Sequence, residues 1–343
     1  MLSGGVMFAL LLLTALTSAL VESPAEEDVH CQRANHGRVL SLIMENDLFA
    51  DTDRQYTNGI RFETMASACD AYQLISDAAR IIPFSGIGEN NQYRRGWSLS
   101  HLIFTASDIS LENPPEDDHP YAGYLAFSIF SSAISDNSEN TLSLELGLVG
   151  PSAQGEFVQR NWHQHVLHDA IDPAGWATQL HDEVVFAVSV QRLRRWEVLR
   201  SQLWNADVYT HASGTIGTVR SDLSGGVFAR LLLGEVPDGV AAPPRIRPAV
   251  SASSYVPRIN GWNAYVFGGV AGTWVGRDIF LDGNTFRASR SVDKRDVVWS
   301  AQAGIAIQRE NLRVTYTHIV RSDQFTTQRE QHRFGSVSVS FVR

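Results

Sequence analysis

Three groups of residues in this chain carry side chains able to do chemistry. The first is Glu45-Asn46-Asp47 and, after a short loop, Tyr56-Thr57-Asn58-Gly59. If the flanking segments pair as a hairpin, Asp47 falls opposite Thr57 and Glu45 opposite Gly59. Acidic side chains and a threonine hydroxyl on one face supply the hard oxygen donors that Ca²⁺ takes. The same residue types also line the wet interior of a β-barrel, and spacing alone leaves both readings open. Adjacent Asn46 and Asp47 point to opposite faces of a regular strand. Both can serve one site only at a strand end or a bulge. Asp51 and Asp53 have calcium-loop spacing, but no downstream Gly or Glu completes that motif.

The second group is Asp117-Asp118-His119-Pro120-Tyr121-Ala122-Gly123, which reads as an Asp-rich turn entering a strand. The third lies between Gly155 and Asp169, a stretch free of Pro and internal Gly that reads as a helix. Gln159, His163, Val166 and Leu167 share one of its faces, and Asp172-Pro173-Ala174-Gly175 ends it. His165, His168 and His181 accompany His163, yet no HExxH pattern supports a zinc site. Histidine is the side chain best suited to take a proton from water near neutral pH. No G-x-S-x-G motif occurs, so a nucleophile-elbow hydrolase is not indicated.

The elements that must position these residues are strands. Thr141 to Leu148 alternates polar and apolar without a fault, as do Asn58–Ala66, Val297–Ile307 and the C-terminal run with Val337, Val339 and Phe341. Twelve candidates follow: 38–47, 57–68, 96–105, 121–132, 140–149, 183–194, 202–215, 226–234, 262–274, 296–308, 311–321 and 332–343. Most approach the 9–11 residues of a tilted membrane strand, where soluble strands are nearer 5–6. Their even number and the aromatic residues near their ends predict an all-β fold. It is an antiparallel transmembrane β-barrel of about twelve strands with a short inserted helix. A soluble sandwich would alternate too, but barrel closure also removes exposed edges.

Composition narrows the function classes. A net charge of −9 argues against a nucleic-acid partner, and 44% hydrophobic with 19% charged residues excludes global disorder. The apolar run from Val6 to Val21 is too short for an ordinary spanning helix. It reads as a secretory signal over 1–19, leaving 20–343 as the barrel domain. Cys31 and Cys69 are able to pair in an oxidising compartment, though spacing does not decide whether they do.

Glu45-Asn46-Asp47, Asp53 through Gly59, Pro120-Tyr121-Ala122-Gly123, Val158-Gln159 through His163, and Gly175-Trp176 with Gln179-Leu180 together resemble the lipid A 3′-O-deacylase family. These are outer-membrane barrels of Gram-negative bacteria. The motifs fall between residues 45 and 183, and the remainder matches in strand layout. The resemblance implies an active site between the barrel wall and the inserted helix, and Ca²⁺-dependent hydrolysis of the 3′-linked acyloxyacyl ester of lipid A. Expected partners are lipid A or lipopolysaccharide and the outer-membrane bilayer. Carried across residue by residue, His163 resembles the catalytic histidine, Asn46 and Asp47 the paired polar residues, and Thr57 the threonine joining them. Asp47, Asn46, Thr57 and Glu45 form the expected cation set. Gln159, one turn before His163, is expected to orient water or substrate. Arg94 and Arg95 are expected to engage lipid A phosphates, since Arg binds phosphate with a planar fork. His119 stands where relatives usually carry Arg, His101-Leu102 replaces a Gln-Asp-type pair, and Arg343 follows the terminal aromatic region. Two alternatives remain: a phospholipase acting on glycerophospholipid esters, and a non-catalytic pore or binding barrel. The intact Asn46, Asp47, Thr57 and His163 set argues against the latter.

Overall fold

The computed structural model describes residues 37–47, 55–68, 92–135, 137–167, 171–234, 256 and 258–343. The expected signal segment, both cysteines, Asp51 and Asp53 lie outside them. Twelve strands form one closed antiparallel barrel. They are β1 (Val39–Asn46), β2 (Gln55–Ala68), β3 (Gln92–Thr105), β4 (Ala122–Ile134), β5 (Ser138–Val149) and β6 (Glu183–Arg200), then β7 (Trp204–Gly217), β8 (Arg220–Gly234), β9 (Trp262–Asp278), β10 (Val297–Arg309), β11 (Leu312–Arg321) and β12 (His332–Val342). Each strand pairs with its sequence neighbours, and β12 closes on β1 from Val39↔Val342 to Asn46↔Gly335. All twelve expected strands are present, with ends that differ by a few residues.

The alternation is inverted relative to a soluble sandwich. On β10, Ser300, Gln302 and Gln308 are buried toward the lumen, while Val297, Trp299, Ile305 and Ile307 are exposed. On β12, Ser336, Ser338 and Ser340 are buried, and Val339 and Phe341 are exposed. Polar inside and apolar outside is the pattern of a barrel whose solvent is lipid. The protein is therefore an integral outer-membrane barrel, and its closure leaves no strand edge exposed to the bilayer.

The lumen is polar at mid-height and apolar at its ends. Arg61 donates through Nε and Nη2 to Glu63 Oε2 at 2.9 and 2.7 Å. Arg220 pairs with Asp278 at 2.9 Å. These groups border a cavity of about 140 Å³. The mouth away from the chain termini is filled by Tyr56, Phe104, Tyr124, Phe280 and Phe334, with Phe104 stacked on Phe280 at 4.1 Å. Phe280 sits on a short helix that the sequence did not announce. A second apolar cluster, Val39, Met65, Phe130, Val256 and Val342, occupies the terminal end.

Between β5 and β6 the expected helix appears as α1 (Gly155–Trp162), followed by a π-helical turn over His163–Leu167. Residues 168–169 of the expected span lie outside the described part. The short helix carrying Phe280 is α2 (Ile279–Asp282), and the Asp278 carboxylate caps it by accepting from Phe280 N–H at 3.1 Å.

Candidate active site

Helix α1 is seated on the outer wall of the barrel rather than in its lumen. On β3, Ser98, Ser100 and Leu102 point inward and are buried, and Trp97 and Leu99 point outward and are exposed. His101 and Ile103 share the outward face. His101 Nε2–H donates to the Ala153 carbonyl just ahead of the helix, at 2.8 Å. Ile103 is buried although it faces outward, because Tyr121, Trp176 and Val158 pack over it. Two glycines permit the contact. A Cβ on Gly123 would lie 2.8 Å from Gly155 N, and one on Gly155 would lie 2.6 Å from the Trp176 ring.

The motif residues around α1 therefore act first as a docking device. Tyr121 meets Trp176 edge-on at 5.2 Å, and a Cβ on Gly175 would lie 2.5 Å from the Tyr121 ring. Leu180 N–H donates to the Tyr121 carbonyl at 2.9 Å, and Ala174 N–H to the Ile109 carbonyl at 2.8 Å. Trp176 Nε1–H donates to Gln159 Oε1 at 3.0 Å. That bond fixes which way the amide points. Gln159 is buried, and its Nε2 has no hydrogen-bond partner among the described residues. The Trp162 indole N–H is likewise buried and unpartnered among them.

His163 begins the π turn, a distortion that often marks functional positions in helices. Its ring is buried, and Nδ1 lies 2.7 Å from the Ile171 carbonyl oxygen. A carbonyl can only accept, so Nδ1 carries the proton. In the neutral ring Nε2 then holds the lone pair.

The first polar group ends β1 and begins β2. Asn46 pairs with Asn58 and Glu45 with Gly59, as the hairpin reading expects. Asn46 is the last residue of β1, and Asp47 follows in a 3-10 turn, fully buried. Thr57 is the extra residue of a bulge between the pairs Tyr56↔Phe104 and Asn58↔Ile103. Its hydroxyl lies 2.8 Å from that of Thr105 at the end of β3. The strand end and the bulge are the two irregularities that free Asn46, Asp47 and Thr57 from strict alternation. Thr57 and Thr105 adjoin Ile103, on the wall that carries α1.

Glu45 belongs elsewhere. It faces the lumen, where its carboxylate accepts from Tyr56 O–H at 2.9 Å, and it stands on the opposite face of β1 from Asn46. Arg94 and Arg95 lie at the other end of β3 from Thr105, roughly 36 Å along an extended strand. Arg94 points inward and is buried, and Arg95 points outward. Strand length separates both from the Thr57 end. His119 is buried, stacked on Phe104 at 5.6 Å and edge-on to Phe325 at 6.1 Å. Burial holds its pKa below the ordinary histidine value, so it offers no charge to a phosphate. Among the described residues no three His, Cys, Asp or Glu side chains gather as a metal cluster.

A closed twelve-stranded barrel with an apolar exterior, carrying a helix with a tautomer-locked histidine on its outer wall, defines a class of outer-membrane protein. The sequence profile described as "Outer membrane protein LpxR" matches residues 7–342. The chain belongs to the LpxR family of outer-membrane lipid A deacylase barrels. The solved structure of LpxR from Salmonella typhimurium is similar, with a TM-score of 0.71 and 15% identity. That alignment covers 89% of this chain and 100% of that one. The β domain of the Bordetella autotransporter Brka aligns at a TM-score of 0.43 and 8% identity, covering 89% and 98% of the two chains. A comparison with curated protein sequences finds no match.

Proposed function

We propose that this protein hydrolyses the 3′-linked acyloxyacyl ester of lipid A, with His163 as the general base. The observation that carries the reading is the Nδ1 bond to the Ile171 carbonyl, which leaves Nε2 as the basic nitrogen. His163 Nε2 takes a proton from water, and the resulting hydroxide attacks the ester carbonyl carbon. Collapse of the tetrahedral intermediate breaks the bond from the acyl carbon to the sugar 3′-oxygen, which leaves with the proton returned from Nε2. Gln159 Nε2–H is held by the Trp176 bond to the far end of the same amide. It is a fixed donor one turn from the base, suited to orienting water or the ester.

Asn46, Asp47 and Thr57 bring an amide oxygen, a carboxylate and a hydroxyl, the hard donor chemistry that fits Ca²⁺. When bound there, Ca²⁺ supplies positive charge to the oxyanion. Glu45 is left out of this set because it faces the lumen. A pore reading is disfavoured by the apolar residues filling both ends of the lumen.

The test is mass spectrometry of lipid A from cells expressing the wild-type chain or His163→Ala, with both barrels verified in the outer membrane. Loss of the 3′-linked acyloxyacyl group with wild type only supports the reaction and the base together. Unchanged lipid A in both overturns the substrate, and equal loss in both overturns the base.

A further inference from the structure

The lipid-facing wall of β6 carries two charges that no described residue pairs with. Its outward positions are Val184, Phe186, Val188 and Val190, and then Arg192 and Arg194, both exposed. Across the ladder, Asn140 and Ser138 of β5 stand opposite Arg192 and Arg194. Ala212 and Thr210 of β7 stand opposite them on the other side. None of these neighbours is acidic. Among the described residues neither arginine forms an ion pair; Glu197 is taken by Arg195 and Arg200.

The surroundings suit a phosphate. The Arg194 guanidinium lies 4.2 Å from the centre of the Trp196 ring, a contact that uses one face of the fork and leaves its edge N–H groups free. Side chains two apart on a strand lie on one face about 7 Å apart, close enough for two guanidiniums to straddle one phosphate. Asn140, half-buried opposite Arg192, adds an amide Nδ2–H able to donate to a phosphate oxygen. Trp196 and Trp204 are both exposed near this end of the barrel, as in an aromatic girdle at a membrane interface. β1 begins and β12 ends at this end, which carries the short β4–β5, β6–β7 and β10–β11 connections and the longer β2–β3 and β8–β9 ones; we take it as the periplasmic side, where short turns predominate.

We propose that Arg192 and Arg194, with Asn140 and Ser138, bind the phosphate of an anionic glycerophospholipid in the periplasmic leaflet. Unpaired guanidiniums on a lipid-facing wall are costly away from the interface. An anionic headgroup supplies the countercharge that no described neighbour provides. This site is separate from the one on α1 and does not depend on the reaction assigned there.

Native mass spectrometry of the barrel in neutral detergent tests it, with phosphatidylglycerol and phosphatidylcholine of the same chains as probes. Wild type is expected to retain phosphatidylglycerol at least about tenfold more strongly, from the charge-assisted contacts. Arg192→Gln with Arg194→Gln should abolish that preference. Asn140→Asp should abolish it too, because it places a carboxylate opposite Arg192 while leaving both arginines in place. Equal retention of the two lipids by wild type overturns the proposal. So does a preference that survives in either variant, each checked for a folded barrel by heat-modifiable migration.

Discussion

Gly123→Ala isolates the seating of α1 from the chemistry on it. The new Cβ would point outward, 2.8 Å from Gly155 N and 3.0 Å from Gly155 Cα. Both are backbone atoms, so no flexible side chain can swing aside. Reaching ordinary contact at 3.4 Å requires the start of the helix to recede by about 0.6 Å. Helix α1 is short and enters the π turn at His163, so this displacement carries to the proposed base. A misplacement near 1 Å costs about a hundredfold in rate, and the expected loss is therefore about ten- to a hundredfold in deacylation. The overpacking strain, about 1–3 kcal/mol, falls on the docked helix and not on the barrel ladder. Gly272→Ala is the control, because a Cβ there meets nothing within 4 Å. A time course of lipid A deacylation, with heat-modifiable migration as the folding readout, measures both variants. Gly123→Ala working within about twofold of wild type would refute the claim that close helix–wall approach positions His163.

Trp176→Phe removes the donor to Gln159 Oε1 and, with its smaller ring, part of the packing over Ile103 and Gly155. The buried amide then loses a bond at about 1–3 kcal/mol locally, and deacylation should fall about tenfold while the barrel stays folded. Chelation of Ca²⁺ should abolish deacylation, and added Ca²⁺ should restore it; activity indifferent to chelator removes the cation from the mechanism. His119 provides a pH signature. Its folded pKa lies below the ordinary value through burial, partly opposed by its hydrogen bond to the Pro120 carbonyl and by Asp278 and Asp118. As pH falls below about 6.5 the unfolded chain takes up this proton before the folded one, so stability declines there and is unaffected above. The midpoint of thermal unfolding should therefore drop between pH 7.5 and pH 5, and drop less in His119→Phe.

The barrel was legible because period-two alternation is local and survives without tertiary context. Alternation alone does not say which face points inward: on β10 Trp299, Ile305 and Ile307 alternate with Ser300 and Gln302, and the structure turns the apolar set toward lipid. Helix α2 was not legible, since Ile279–Asp282 is a single turn with no room for a periodic pattern. Glu45 shows the limit of reading by residue type. Sequence places it beside Asn46 and Asp47 as one more oxygen donor, yet alternation turns it into the lumen toward Tyr56. Arg94 and Arg95 show a different limit. The chemistry of phosphate binding is right for arginine, but a strand of 14 residues holds them at the far end of the wall from Thr105.

The contact that matters most to His163 could not be read at all. Its tautomer is set by a main-chain carbonyl, that of Ile171, and any residue type carries such an oxygen. Sequence motifs mark side chains, so they point to the base and to the glycines and aromatics that seat its helix. They leave unmarked the backbone atom that decides which ring nitrogen is basic. The consequence is that Ile171 should tolerate change of side chain so long as its carbonyl stays in place. Ile171→Val should leave deacylation near wild type. Ile171→Pro removes a main-chain N–H and restrains the preceding residue, and should reduce deacylation if the carbonyl is displaced. A proline variant whose His163 imidazole retains the Nδ1–H tautomer by ¹⁵N shifts, yet loses activity, would place the role of this segment elsewhere than in the orientation of the base.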